Sequence, residues 1–147
     1  MKLMFIVLKS IGRFSRGEKA VAAVELALIL PILLIILFGM IEISTLLYDK
    51  AVITNASREA ARAGIVNSSV TDSEIMGYAQ NYCLNKLITY RSANIPTVTV
   101  SRPSGSDPGN PLIVTVSYQF TGLALGTIIR PQNWDQTLTS TSIMNFE

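Results

Sequence analysis

One stretch limits what this chain can become: residues Val21 to Ile41 are apolar except for Glu25. At about 1.5 Å of rise per residue, these roughly 21 residues span about 31 Å as a helix, the thickness of a bilayer's hydrocarbon core. They read as a membrane-spanning helix. Glu42, Asp49, Lys50, Arg58, Glu59 and Arg62 follow, but no proline or glycine interrupts this second part before Gly64. Nothing therefore ends the helix where the membrane ends, and a single helix of roughly 46 residues, about 69 Å long and reaching Val66, is expected.

Charge supplies an orientation. The chain has 147 residues and a net charge of +2, with five of its twelve Lys and Arg before Val21 (Lys2, Lys9, Arg13, Arg16, Lys19) and one acid beside them, Glu18. Cations flanking an apolar segment stay in the cytoplasm by the positive-inside rule, which sends the C-terminus across the membrane. The remainder carries seven bases and nine acids. Basic charge is thus confined to the leader, and binding to nucleic acid has no support. The expected organisation is a basic cytoplasmic leader over residues 1–20, a transmembrane helix over 21–41, and an extracytoplasmic head over 42–147 that includes the rest of the long helix. A cleaved secretory signal peptide fits less well, because the apolar run has no small-x-small site at its end and continues into helical sequence. An uncleaved signal anchor carrying a binding or assembly module is the alternative.

About 80 residues lie beyond Val66, few for an independent core but enough if the head packs on the emerging helix. Gly64 suits the left-handed position that closes a helix. Thr71, three before Glu74, forms a capping box, and Ile75, Ala79, Tyr82, Cys83 and Leu87 follow at helical spacing, predicting a helix from Asp72 to about Leu87. The period then changes to two. Ile95 to Arg102 reads as a strand and Pro103 to Asn110 as a loop. Leu112, Val114, Val116, Tyr118 and Phe120 alternate with Ile113, Thr115, Ser117 and Gln119 as a second strand. After a looser stretch from Thr121 to Asn133, Asp135 to Asn145 reads as a third. The fold class is α+β: a long N-terminal helix, a shorter one, and a three-stranded antiparallel sheet whose Ser- and Thr-rich face meets water.

Chemistry is absent from the pattern. There is no histidine, which removes the usual neutral-pH base and the commonest metal ligand. Cys83 is the only cysteine and falls on an apolar helix face, so it reads as a buried hydrophobe and no intramolecular disulfide is possible. Asp107 and Asp135 lie in loop-like sequence. No phosphate loop, metal cluster or nucleophile with a base emerges, and neither an enzyme nor a cofactor is expected; a small hydrolase using a carboxylate pair is the remotest of the readings.

Two residues in the membrane segment call for a role. An ionised Glu25 costs about 2.5 to 3.5 kcal/mol at a bilayer centre and less near an interface, so it either has a partner or sits at headgroup level. Pro31 lacks an N–H and crowds the carbonyl of Ala27. Farther on, Ala56, Ala60, Ala61, Ala63 and Gly64 are small at helical spacing, while Arg58 and Arg62 share a face four residues apart. A helix face lying under its own sheet is the favoured reading, and a docking surface the other.

The string AVAAVELALILPILLIILFGMIEI, followed by NASREAARAG, closely resembles the TadE-like proteins, minor pilin-like subunits of bacterial tight-adherence (Flp-type) pilus machines. Val24, Glu25, Ala27, Pro31, Gly39, Glu42, Asn55, Ala56, Arg58, Ala61, Arg62 and Gly64 carry the likeness, and the terminal SIMNFE is similar to the family's closing strand. The resemblance implies a pilin-like fold in the bacterial inner membrane. It further implies cleavage by a prepilin peptidase between Ala20 and Val21, making Glu25 the fifth residue of the mature chain, where a neighbour's freed α-amino group can offset its charge. Pro31 would share in subunit assembly, and Asn55, Arg58, Ala61, Arg62 and Gly64 in helix packing or docking. The implied partners are other pilin-like subunits, the major pilin, the peptidase, the inner-membrane assembly platform and the lipid bilayer.

Overall fold

A computed structural model of the chain describes residues 2–66, 69–90, 95–122 and 135–146. Helix α1 spans Lys2–Val66 and continues through Pro31. It therefore begins in the leader, well before the expected start. Gly12 and Gly17 are the weakest helix formers in that leader, and each glycine costs about 1 kcal/mol relative to alanine, too little to end a helix. Two structural units divide the chain, Met1–Gly39 and Met40–Glu147. The first is helix alone.

The second unit holds the end of α1, a helix α2 (Asp72–Cys83), and strands β1 (Thr97–Ser101), β2 (Pro111–Thr121) and β3 (Asp135–Asn145). The sheet is antiparallel in the order β1-β2-β3. Register follows from the two-residue period: Val98 lies opposite Val116 and Val116 opposite Ser140, while Val100, Val114 and Ser142 form the next inward row. Leu112, Val114, Val116, Tyr118 and Phe120 point into the core, where Val52, Ile53, Ala56, Ala60 and Ala61 of α1 and Ile75, Ala79 and Cys83 of α2 meet them. The outward rows are hydroxyl-rich, with Thr115 facing Thr141 at 3.0 Å and Ser117 facing Thr139 at 3.3 Å between side-chain oxygens. This is the α+β arrangement expected, and β3 has the expected bounds.

Three boundaries differ. Gly64 is buried inside α1, and it is not among the glycines with positive φ. Its need is space: a Cβ there would come within 2.6 Å of Leu112 Cδ2 and 2.7 Å of Ile75 Cδ1. Helix α2 stops at Cys83 rather than near Leu87, because Leu84 leaves the helical conformation at ψ 127° and Asn85 then takes a left-handed one at φ 62°. Strand β1 is shorter than expected at both ends; Pro96 cannot donate to a ladder, and Arg102 is turned toward other partners. At the hairpin loop, Gly109 (φ 87°) donates to the Phe146 carbonyl at 2.8 Å, and Phe146 donates to the Asn110 carbonyl at 3.0 Å, tying the chain's end to the loop. The looser stretch before β3 lies outside the described residues, apart from Thr121 at the end of β2 and Gly122.

Candidate functional site

Helix α1 carries every residue named for processing, subunit assembly and the NASREAARAG box, in two environments. From Val21 to Met40 each side chain is exposed or nearly so, including Glu25 and Pro31, and Ala20 is exposed beside Val21. Among the described residues this is the one helix long and apolar enough to cross a membrane, lying within Gly17–Val66. An apolar helix surface with no protein against it has lipid or other helices as its natural surroundings.

From Asp49 onward one face of the helix is covered. Ala56, Ala60, Ala61 and Gly64 are buried, whereas Asn55, Arg58, Glu59 and Arg62 are exposed. The NASREAARAG box is thus split by helical periodicity, its small residues against the sheet and its charged ones away from it. Small side chains let the helix backbone approach closely. At the closest part, Ser57 is buried and its hydroxyl meets the hydroxyls of Ser140 at 3.2 Å and Ser142 at 2.8 Å, while donating to the Thr54 carbonyl at 2.9 Å. Ser140 and Ser142 occupy inward positions of β3, where an aliphatic residue would be usual.

Polar contacts beside that face fix the helix in the head. Lys50 Nζ donates to the carbonyl of Thr139 on β3. Asp49 has no exposed surface; its Oδ1 accepts the Ile88 N–H at 2.9 Å, while Oδ2 has no hydrogen-bond partner. Burial holds the Asp49 carboxyl above the ordinary carboxylate range, with the Ile88 N–H working against that rise. Burial likewise pushes the Cys83 thiol up, opposed by Lys86 and reinforced by Asp49, so Cys83 is a packed hydrophobe and not a thiolate. At Gly122, an added Cβ would run into the Glu42 carboxylate. This places the end of β2 against α1 at the level where the helix enters the head.

A second junction was not legible in sequence. Arg102, just after β1, pairs through Nε with Asp72 Oδ1 at 2.9 Å, donates to Ser106 Oγ at 2.9 Å and to the Val70 carbonyl at 2.6 Å, and lies 5.8 Å from the Phe146 ring centre. One guanidinium thereby joins the start of α2, the hairpin loop and the end of β3. Its five fixed donors suit it to this in a way that lysine would not match. No group of His, Cys, Asp and Glu able to hold a metal occurs among the described residues.

Residues 20–62 match a family model described as TadE-like protein, which covers the membrane segment and the box as far as Arg62. No curated protein and no solved structure matches the chain.

Proposed function

We propose that this chain, whose residues 20–62 are a TadE-like domain and which is thereby a component of Tad pilus assembly, acts as a minor pilin-like subunit. Its N-terminus lies in the cytoplasm, its head outside, and a prepilin peptidase removes residues 1–20. The observation that carries the reading is the division of labour along α1. Val21 to Ile41 offers a long apolar surface without protein cover, while Val52 to Gly64 is built into the head's core. A subunit of this kind can exchange lipid for neighbouring helices without unfolding its head.

Leader removal makes the exchange feasible. Before cleavage, five cations hold the cytoplasmic end at the interface, each costing about 2.5 to 3.5 kcal/mol or more at the bilayer centre. Afterwards the α-amino group of Val21 and Glu25 are the only charges at the helix start, and they can offset each other or a neighbour's. The surface from Leu26 to Ile41, interrupted by Pro31, is then free to pack against other pilin-like subunits and the major pilin at the assembly platform.

Mass spectrometry of the mature N-terminus, paired with an Ala20 series, tests this. A chain beginning at Val21 is expected. Ala20→Lys should leave a longer, membrane-retained precursor and abolish piliation, and Ala20→Gly should process at least as well as the native chain. An intact Met1 with normal pili would overturn the reading in favour of an uncleaved signal-anchored module.

A further inference from the structure

The two ends of the head differ in what they show to their surroundings. Leu112 and Ile75 lie against Gly64 of α1, Asp49 accepts the Ile88 N–H, and Gly122 abuts Glu42. Both α2 and β2 therefore run back along α1, from the level of Gly64 toward the level where the membrane-spanning stretch ends. Strand β1 runs the other way, with Thr97 opposite Ser117 and Ser101 opposite Ile113, so Ile95 and Pro96 precede it at that same lower end. The loop at the far end, Pro103 to Asn110, holds no large apolar residue. At the lower end Leu84 is 61% exposed, Ile88 36% and Ile95 80%, and Leu84 and Ile95 border one groove with Leu87 and Pro96. Beyond α1, the other exposed large apolar side chains among the described residues are Tyr78, midway along α2, and Ile143, on the outer face of the sheet.

We infer that this lower end of the head rests on the bilayer surface, with Leu84, Ile88 and Ile95 set among the lipid headgroups. This contact rests on the membrane-anchored reading given above, through α1 crossing the bilayer, and on neither cleavage nor orientation. Height along α1 identifies lipid as the cover. Asp49 follows Ile41 by eight residues, about 12 Å along the helix. The headgroup layer takes up about 5 to 7 Å of that rise. Ile41, Ile43, Leu47 and Tyr48 are exposed, so the lipid-compatible surface of α1 itself continues to the residue before Asp49. The Ile88 N–H, held by Asp49, pins the segment after α2 at that height, and the leucine and isoleucine side chains reach across the remaining gap. Tyr48 and the half-buried Tyr82 and Tyr90 supply rings of the kind that favour a membrane–water boundary. Lys86, its Nζ 3.6 Å from the Tyr82 ring centre, adds a cation for lipid phosphates. Withdrawal of α1 from lipid then has to lift this end of the head as well.

Spin labels measure the contact directly. The full chain, reconstituted in vesicles of phosphatidylcholine with a minority of phosphatidylglycerol, carries a nitroxide on Leu84→Cys, Ile88→Cys or Ile95→Cys. Native Cys83 is buried, and the chain without an added cysteine gives the background. Electron paramagnetic resonance then reads collisions with oxygen, which concentrates in lipid, and with a nickel chelate, which stays in water. The oxygen-to-chelate ratio should be severalfold higher at Leu84 and Ile95 than at Ser104→Cys in the far loop. Both side chains are already exposed, so a label at either displaces nothing, and Ile88 gives a third position should one variant fold poorly. Leu33→Cys reports on the anchor itself. Lipid exposure at Leu33 together with chelate access at Leu84 and Ile95 equal to that at Ser104 would overturn the resting contact and leave the membrane span standing. Chelate access at Leu33 would overturn both. Exclusion of both reagents at Leu84 and Ile95 would mean that a second copy of the chain, the only protein present, covers this end, and would equally overturn contact with lipid.

Discussion

Leu28 and Leu112 are the same side chain in two solvents. Leu28 is 69% exposed on a helix with no protein around it, whereas Leu112 is 0% exposed beneath Gly64 and Ile75. In the head, free energy is stored in complementary shapes, so a lost methylene leaves a void that the surroundings fill only in part. In the apolar stretch, lipid refills whatever a truncated side chain vacates, and substitutions there act on association with other helices. One continuous helix therefore obeys two sets of rules, and mutations can separate them.

The largest separation should come from truncation. Ile53→Ala removes a fully buried side chain and should cost the head about 2 to 5 kcal/mol, whereas Leu33→Ala should leave head stability unchanged. Thermal unfolding of the detergent-solubilised chain, followed by its β-sheet circular dichroism, reads both. Comparable losses would erase the distinction between the two regions. Next in size is overpacking: Gly64→Val forces Leu112 and Ile75 aside and should cost about 1 to 3 kcal/mol by the same assay, while Gly17→Val, with nothing near its Cβ position, should not alter it.

A smaller effect is expected at the edge of the head. Thr71→Ala deletes the hydroxyl that accepts the Glu74 N–H at 3.3 Å, and losing such a cap should cost about 1 kcal/mol. Backbone hydrogen exchange in α2 should rise more than exchange in β2; uniform acceleration would show that α2 does not open separately. The subtlest test sharpens the head's polar contacts. Because burial raises the Asp49 carboxyl in the folded chain, its stabilising contribution is full below its ordinary value of 3.8 and is lost as pH rises through the raised value. Asp49→Asn keeps an acceptor for the Ile88 N–H and has no such dependence. Melting temperatures of wild type and variant should therefore diverge in the variant's favour as pH rises above 3.8 and through the raised value. Parallel profiles would mean that Asp49 titrates alike in folded and unfolded chains.

Where periodicity was strong, the sequence was informative. The two-residue alternation from Leu112 to Phe120 exposed β2 and its inward face, and Thr71 with Glu74 marked the start of α2, since both signals are local. The end of α2 was not legible, because its last turn is cut short where the chain swings to bring the Ile88 N–H to Asp49, a residue 39 positions away. Gly64 misled for a related reason: a glycine that ends a helix and one that admits another side chain look alike until Leu112 is seen above it. Ser57 and Arg102 gave no signal at all. A serine in a helix and an arginine after a strand are ordinary surface residues until Ser140, Ser142 and Asp72 arrive from distant segments. Asn55, Arg58 and Arg62 were legible as one face of a helix, but their exposure depended on which face the sheet would cover.

The contact between Ser57 and Ser142 spans 85 residues of chain and joins α1 to β3. Helix α1 is synthesised before β2 and β3, and its face from Val52 to Gly64 stays uncovered until those strands have followed. Nucleation cannot rely on neighbouring residues alone, since α1 has to await β2 and β3, so the head is expected to fold late and slowly for its size. For that interval an apolar surface stands bare, and protection against premature association falls to chaperones.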